Sequence, residues 1–153
     1  MIDPFHEARE ALNLAKREYT LVNSLNVVAA YSINQACENA VRALWQISTG
    51  IPFPHEGFRP FHKPAAYVSH LGIEPYYSEQ TQAFLGKLAG FALDEARYEG
   101  TQAYMDHTKP SAGYRGKELI IGAERFLTET EQLAKREDIL SIILECDKKR
   151  KGE

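Results

Sequence analysis

The sequence has few of the features that mark a secreted domain, a membrane protein or a zinc protein. Its two cysteines, Cys37 and Cys146, lie in separate segments without the C-x-x-C spacing of a metal or redox motif. The longest strongly apolar run, residues 139–144, is much shorter than the ~20 residues that cross a bilayer. The first residues lack the basic and apolar parts of a signal peptide. We therefore expect a cytoplasmic protein with reduced thiols, no membrane partner and no metal or other cofactor.

The charge is unevenly distributed along the chain. The 153 residues include 21 acidic and 18 basic ones, which gives a formal net charge of −3. The last six residues hold four basic residues and one acid, a net +3, so residues 1–147 carry −6. A body this acidic argues against duplex DNA as a partner. We interpret residues 1–147 as one domain and residues 148–153 as a solvated basic tail.

Hydrophobic periodicity predicts helices and no strand. Apolar residues recur at spacings of three and four, with Asp3 and Ser78 placed as N-caps and Gly50 and Gly72 as helix ends. The predicted helices cover about residues 4–22, 25–49, 63–70, 78–97 and 117–135, followed by a last turn or two within residues 139–146. The polar segment 100–116 is expected to be a long loop. The fold class is therefore all-α, an up-and-down bundle of four to five main helices plus a short helix, with Trp45 anchoring its core.

Two glycines inside the predicted fourth helix, Gly86 and Gly90, indicate a surface that another backbone approaches closely. The natural counterpart is a stripe of small residues on the second helix: Ala36, Ala40 and Ala43. The glycine face, or a face carrying Ile139 and Ile143, is also a place where two copies of the chain could associate.

Three segments of the sequence together carry a family resemblance. They are residues 32–44 with the sequence SINQACENAVRAL, residues 50–55 with GIPFPH, and residues 95–98 with EARY. In this order they resemble the HEPN family of small helical domains. The resemblance covers about residues 3–135. It implies a helical bundle, a homodimer, and a role in binding a nucleotide or RNA or in pairing with a minimal nucleotidyltransferase. Some members of this family are toxins of toxin-antitoxin pairs and cleave RNA without a metal.

The ribonuclease members use an Arg followed, after four to six residues, by a His, and this chain lacks that spacing. Arg59 precedes His62 with two residues between them, and Arg97 precedes His107 with nine. The resemblance therefore favours a non-catalytic, dimerising module. The alternative is a metal-independent ribonuclease with one of these rearranged Arg/His pairs, in which the His moves a proton and the Arg stabilises phosphate charge.

The predicted ligand site combines residues from all three HEPN-like segments. Glu38 and Arg42 are four apart on one helix face, in the favourable order for an ion pair, which either lines a cleft or is an ordinary salt bridge. His55 corresponds to the histidine in the Pro-containing turn of the HEPN family, and it is either a site residue or a cap for the second helix. Arg97 and Tyr98 could hold a phosphate and stack on a base, or could simply bridge helices and fill the core.

Two further groups of polar residues are weaker candidates. The histidines at positions 55, 62 and 70 have no supporting carboxylate or cysteine, so we interpret them as separate surface or capping residues rather than as metal ligands. The segment 100–116 holds residues capable of acid/base chemistry, and its simpler interpretation is a solvated loop. The second group consists of Asp106, His107, Lys109, Tyr114 and Arg115.

Overall fold

The computed structural model of the chain describes residues 3–22, 27–54, 63–89 and 116–152. These residues form six α-helices and one 3₁₀ turn, Glu74–Tyr76, and this part of the chain contains no strand. The helices are α1 His6–Val22, α2 Val27–Thr49, α3 Pro64–Leu71, α4 Glu79–Ala89, α5 Gly116–Leu133 and α6 Glu137–Arg150. The predicted all-α bundle, with five longer helices and a short one, is confirmed.

Helix α2 is the centre of the bundle. It packs against α1, α3, α5 and α6, while α5 also contacts α1 and α4. Because neighbours surround it, α2 buries residues around most of its circumference, among them Ile33, Ala40 and Leu44. The side chains that α2 places near its surface are therefore positioned by the central helix of the fold.

Aromatic rings join the end of α2 to the segment that follows it. The Trp45 side chain is fully buried, and its ring meets that of Phe53 edge to face, with centroids 5.8 Å apart. Phe53 in turn lies 4.9 Å from the ring of Tyr67 on α3. Such pairs add about 0.5–1.5 kcal/mol each to the burial of the rings. The predicted core role of Trp45 is confirmed, and residues 52–54 are fixed against α2.

The helix ends lie where capping residues predicted them. A side-chain oxygen of Asp3 accepts the Phe5 N–H at 3.0 Å, and the Ser78 hydroxyl accepts the Thr81 N–H at 3.2 Å. Gly50 and Gly72 end α2 and α3 with φ of 78° and 74°, a conformation that glycine adopts without strain. The ends of these helices are therefore determined by capping hydrogen bonds and by glycine conformation within a few residues of each end.

A polar network holds α4 on α5. The Glu129 carboxylate accepts the Ser78 backbone N–H at 2.7 Å and the hydroxyl groups of Ser78 and Thr81. An acid at this place also complements the positive end of the α4 dipole. Nearby, the Tyr77 hydroxyl bonds Thr130 at 2.8 Å, and Thr130 donates to a carbonyl of its own helix at 2.7 Å. Because the single hydroxyl hydrogen of Thr130 is donated to that carbonyl, the Tyr77 hydroxyl is the donor to Thr130. Burial raises the pKa of Tyr77, so its hydroxyl stays protonated.

The C-terminal end differs from the prediction. Instead of a turn or two followed by a solvated basic tail, α6 continues to Arg150. The Asp147 side chain is 5% exposed and pairs with Arg150 at 2.8 Å and with Lys151 at 3.1 Å. Basic residues are also favourable in the last turn of a helix, where the dipole is negative. Residues 148–150 therefore continue α6, and they remain exposed to solvent.

The glycine prediction is also corrected. An added Cβ at Gly86 would meet no atom of the described residues within 4 Å, so no backbone in that part of the chain approaches it, and Gly90 lies outside the described residues. The close approach occurs instead at Gly122 on α5, against the ring of Phe84 on α4. Ile139 and Ile143 are fully buried and do not form a self-association surface.

Candidate ligand-binding cleft

Two of the five predicted ligand-site residues, Glu38 and Arg42, lie in the described part of the chain. Both are on α2. The other three, His55, Arg97 and Tyr98, lie outside the described residues, so their predicted place beside the first two stays a prediction. The same holds for the alternative catalytic residues: Arg59, His62, Arg97 and His107.

Glu38 and Arg42 form the predicted ion pair. Arg42 Nη1 lies 3.7 Å from Glu38 Oε2, and the two side chains are 36% and 2% exposed. The carboxylate is thus inside the protein, while the guanidinium reaches the surface. Removing the cation from a buried ion pair is costly because the carboxylate then loses its compensating charge. Glu38 therefore provides a buried negative charge beside a partly exposed arginine side chain.

Arg42 lines an open cleft of about 760 Å³ between the start of α1, the second half of α2 and residues 52–53. Its volume is within the range of small-molecule sites. The lining includes the side chains of His6, Asn39 and Gln46, with apolar surface from Ile47 and Phe53; the remaining lining residues are Asp3, Pro4, Glu7, Ala43 and Pro52. The guanidinium, two side-chain amides and an imidazole thus share one cavity.

The wall formed by the start of α1 is held in place by ion pairs. Arg9 contacts Asp3 on one side and Glu131 of α5 on the other, the latter with Nη2 2.8 Å from Oε2. Asp3 also caps the first turn, as described above. The negative charge of Asp3 is therefore partly compensated by Arg9, and the first turn of α1 is anchored to α5.

Sequence reasoning missed His6, Asn39 and Gln46 as cleft residues. A signal existed for two of them, because Asn39, Arg42 and Gln46 recur at spacings of three and four and so lie on one face of α2. No such signal exists for His6, which reaches the cleft only because α1 packs against α2.

A second cavity, of about 750 Å³, lies between the end of α3 and α6. His70, one of the three predicted surface or capping histidines, is exposed and lines it together with Cys146 and Lys149. The Cys146 thiol donates to the His70 carbonyl oxygen at 3.5 Å. Burial and the nearby Asp147 carboxylate raise the pKa of this thiol, which makes it a poor nucleophile at neutral pH.

Comparison of the chain with protein-family models, with curated proteins and with solved structures finds no significant match. Within the described residues, no helix is long and apolar enough to cross a membrane. In the same part of the chain, no three His, Cys, Asp or Glu side chains are grouped so that they could hold a metal ion.

Proposed function

We propose that this chain is a non-catalytic HEPN-like domain that binds a nucleotide-like ligand in the cleft beside Arg42. The observation that carries the proposal is the partly exposed guanidinium of Arg42, held by the buried Glu38 carboxylate at the wall of a cavity of about 760 Å³. A guanidinium carries N–H donors in the fork geometry that matches a phosphate group.

The rest of the lining supports a nucleotide rather than a bare phosphate ion. The amides of Asn39 and Gln46 offer both donors and acceptors, which suits the hydrogen-bonding edges of a base. Phe53 and the 37% exposed Ile47 provide apolar surface for the base or the ribose. A polar end with a cation and an apolar end thus lie in one cavity of suitable size.

The charge of the lining selects a ligand with few phosphates. Arg42 contributes one permanent positive charge, while Asp3 and Glu7 contribute two carboxylates, of which Asp3 is paired with Arg9. A triphosphate would bring about four negative charges to this lining, so repulsion would oppose its binding. We therefore expect a nucleoside monophosphate to bind more tightly than the corresponding triphosphate.

The test is calorimetric titration of the purified chain with AMP, ADP, ATP and adenosine. We expect AMP to bind most tightly, and Arg42→Gln to weaken AMP binding about tenfold or more, because a charge-assisted hydrogen bond is lost. The matched control is Arg17→Gln, the same change at an exposed position of α1 outside the cleft. Thermal unfolding of both variants checks that they remain folded.

A second pair of variants leaves the Glu38–Arg42 pair intact. Gln46 is exposed and lines the cleft, so Gln46→Glu should weaken AMP binding and Gln46→Lys should strengthen it, each about two- to fivefold. The proposal fails if no nucleotide binds the folded protein, or if binding responds to neither the Arg42 variant nor the Gln46 variants.

A further inference from the structure

The cavity between the end of α3 and α6 is lined in part by apolar side chains that are withdrawn from solvent. Its volume of about 750 Å³ is within the range of small-molecule sites. Leu71 is 1% exposed, and Ile142 and Cys146 are partly buried. Gly72 also lines the cavity, and it keeps open the space beside Ile142, because a Cβ there would lie 3.9 Å from Ile142 Cγ2. The cavity therefore offers apolar surface to a ligand.

The exposed side of the same lining is basic. Lys149 and Arg150 of α6 both border the cavity. The acidic lining residue, Glu145, has its Oε1 3.5 Å from Lys148 Nζ, so its charge is partly compensated. Residues 145–151 together hold four basic and two acidic side chains, in a chain whose net charge is −3. An anion is therefore attracted to this end of the molecule.

One of the two lining cations is available to a ligand. Arg150 Nη2 lies 2.8 Å from the Asp147 carboxylate, so Arg150 is already engaged in an ion pair. The exposed Lys149 side chain is in none of the ion pairs of the part of the chain that the structure describes. One unbalanced positive charge matches a carboxylate, with a single negative charge, more closely than a phosphate, which carries about −1.5 to −2 at pH 7.

The cation and the apolar residues lie along one face of α6. Ile142, Cys146 and Lys149 recur at spacings of four and three, which places them on the same side of the helix. The lining reaches from Lys149 back to Ser141, a rise of about 12 Å along the helix axis. An extended aliphatic chain of about eight to ten carbons has this length. The cavity thus has a charged end and an apolar stretch of matching size.

We propose that this cavity binds an aliphatic carboxylate of medium chain length, with its carboxylate at Lys149 and its chain against Leu71 and Ile142. An exposed ammonium group holds a carboxylate only weakly, so burial of the chain supplies most of the affinity and Lys149 sets the orientation. This site is distinct from the proposed nucleotide site, because among the described residues none lines both this cavity and the cleft beside Arg42.

The experiment is calorimetric titration of the full chain with hexanoate, octanoate and decanoate, each kept below the concentration at which it forms micelles. We expect each added methylene group to tighten binding about two- to fourfold. Octylamine has the same chain as octanoate and the opposite charge, so it should bind at least about tenfold more weakly.

Variants test the predicted contact with the carboxylate. Lys149→Gln should weaken octanoate binding about two- to fivefold, and Lys149→Glu should weaken it further. The matched control is Lys135→Gln, the same change at an exposed lysine outside the cavity, which leaves octanoate binding unchanged. Arg42→Gln should also leave it unchanged, so the two proposed sites can fail independently. Circular dichroism confirms that every variant is folded.

The position of the bound chain is tested at Cys146, whose thiol lines the cavity. Saturating octanoate should slow the reaction of Cys146 with a maleimide, because the chain covers the thiol. The proposal is overturned if decanoate does not bind at concentrations up to about 1 mM, or if octylamine binds as tightly as octanoate. It is also overturned if neither Lys149 variant weakens binding, or if saturating octanoate leaves the labelling rate of Cys146 unchanged.

Discussion

Replacing Gly122 by alanine should destabilise the protein, although the same change usually stabilises a helix. Gly122 is buried on α5, where a Cβ would overlap Cδ1 of the Phe84 ring and lie 2.6 Å from its Cγ and 2.7 Å from its Cε1. The ring belongs to the core and is 5% exposed, so it cannot move into solvent without losing its own burial. The added methyl group therefore forces α4 and α5 apart or rotates the ring out of its position.

The magnitude follows from two opposing contributions to the free energy of unfolding. Overpacking a core by one methyl group costs about 1–3 kcal/mol, and alanine instead of glycine inside a helix contributes about 1 kcal/mol in the other direction. The clash involves three atoms of one rigid ring, which favours the upper part of the first range. We expect a net loss of about 1–2 kcal/mol.

Gly86→Ala on α4 is the matched control. A Cβ at Gly86 meets no atom of the described residues within 4 Å, and Gly86 is exposed inside a helix, so the change keeps the helix gain without the clash. It should stabilise the protein by about 0.5–1 kcal/mol. The same substitution on two adjacent helices is thus expected to have opposite signs.

The assay is urea unfolding followed by helix circular dichroism and by the fluorescence of the buried Trp45, with coincident curves as the check on two-state behaviour. A Phe84→Ala background removes all three ring atoms that clash, so Gly122→Ala should cost less in that background than in the original chain. The packing of α4 on α5 is refuted if Gly122→Ala raises stability as Gly86→Ala does, or if its cost is the same with and without the Phe84 ring.

Two further predictions concern thiol reactivity and acid sensitivity. Cys37 is fully buried and Cys146 is half-buried, and burial raises the pKa of both thiols. A maleimide should therefore label only Cys146 in the native protein, more slowly than a free cysteine at pH 7 and faster as the pH rises. Mass spectrometry of the labelled peptides checks this, and labelling of Cys37 in the native protein would contradict the packing of α2. At Asp147, burial alone would raise the carboxyl pKa, but hydrogen bonds from Arg150 and Lys151 outweigh it and the pKa lies below its ordinary value. A lowered pKa in the folded state contributes stability that is present above the unfolded value of about 3.9 and is lost as the pH falls through the folded one. Urea midpoints between pH 7 and pH 3 should therefore fall more for the original chain than for Asp147→Asn, and parallel curves would refute the contribution of this cluster.

The local features of the helices could be predicted because their causes are local. Asp3, Ser78 and Gly72 act on backbone groups a few residues away, so the sequence contains both the capping group and its target. The ion pair between Glu38 and Arg42 belongs to the same class, since a separation of four places the two side chains on one helix face.

Other predictions failed because they depended on what lies opposite a residue. Gly86 and Gly122 are both glycines inside helices, and only the position of Phe84 decides which of them permits a close approach. Ile139 and Ile143 follow the same periodicity as an exposed apolar face, but the packing of α6 on α2 and α3 buries them. The sequence predicts only a turn or two before residue 147, because the pairing of Asp147 with Arg150 becomes visible only once the helix continues.

The sequence by itself determined the all-α fold class, most helix boundaries and the pairing of Glu38 with Arg42, because periodicity, capping and short separations are encoded within a few residues. Only the tertiary structure decided that Arg42 shares a cleft with His6, and that Lys149 shares a cavity with Leu71. Both arrangements depend on how separate helices pack, and the environment of a side chain is set by that packing rather than by its neighbours in the chain.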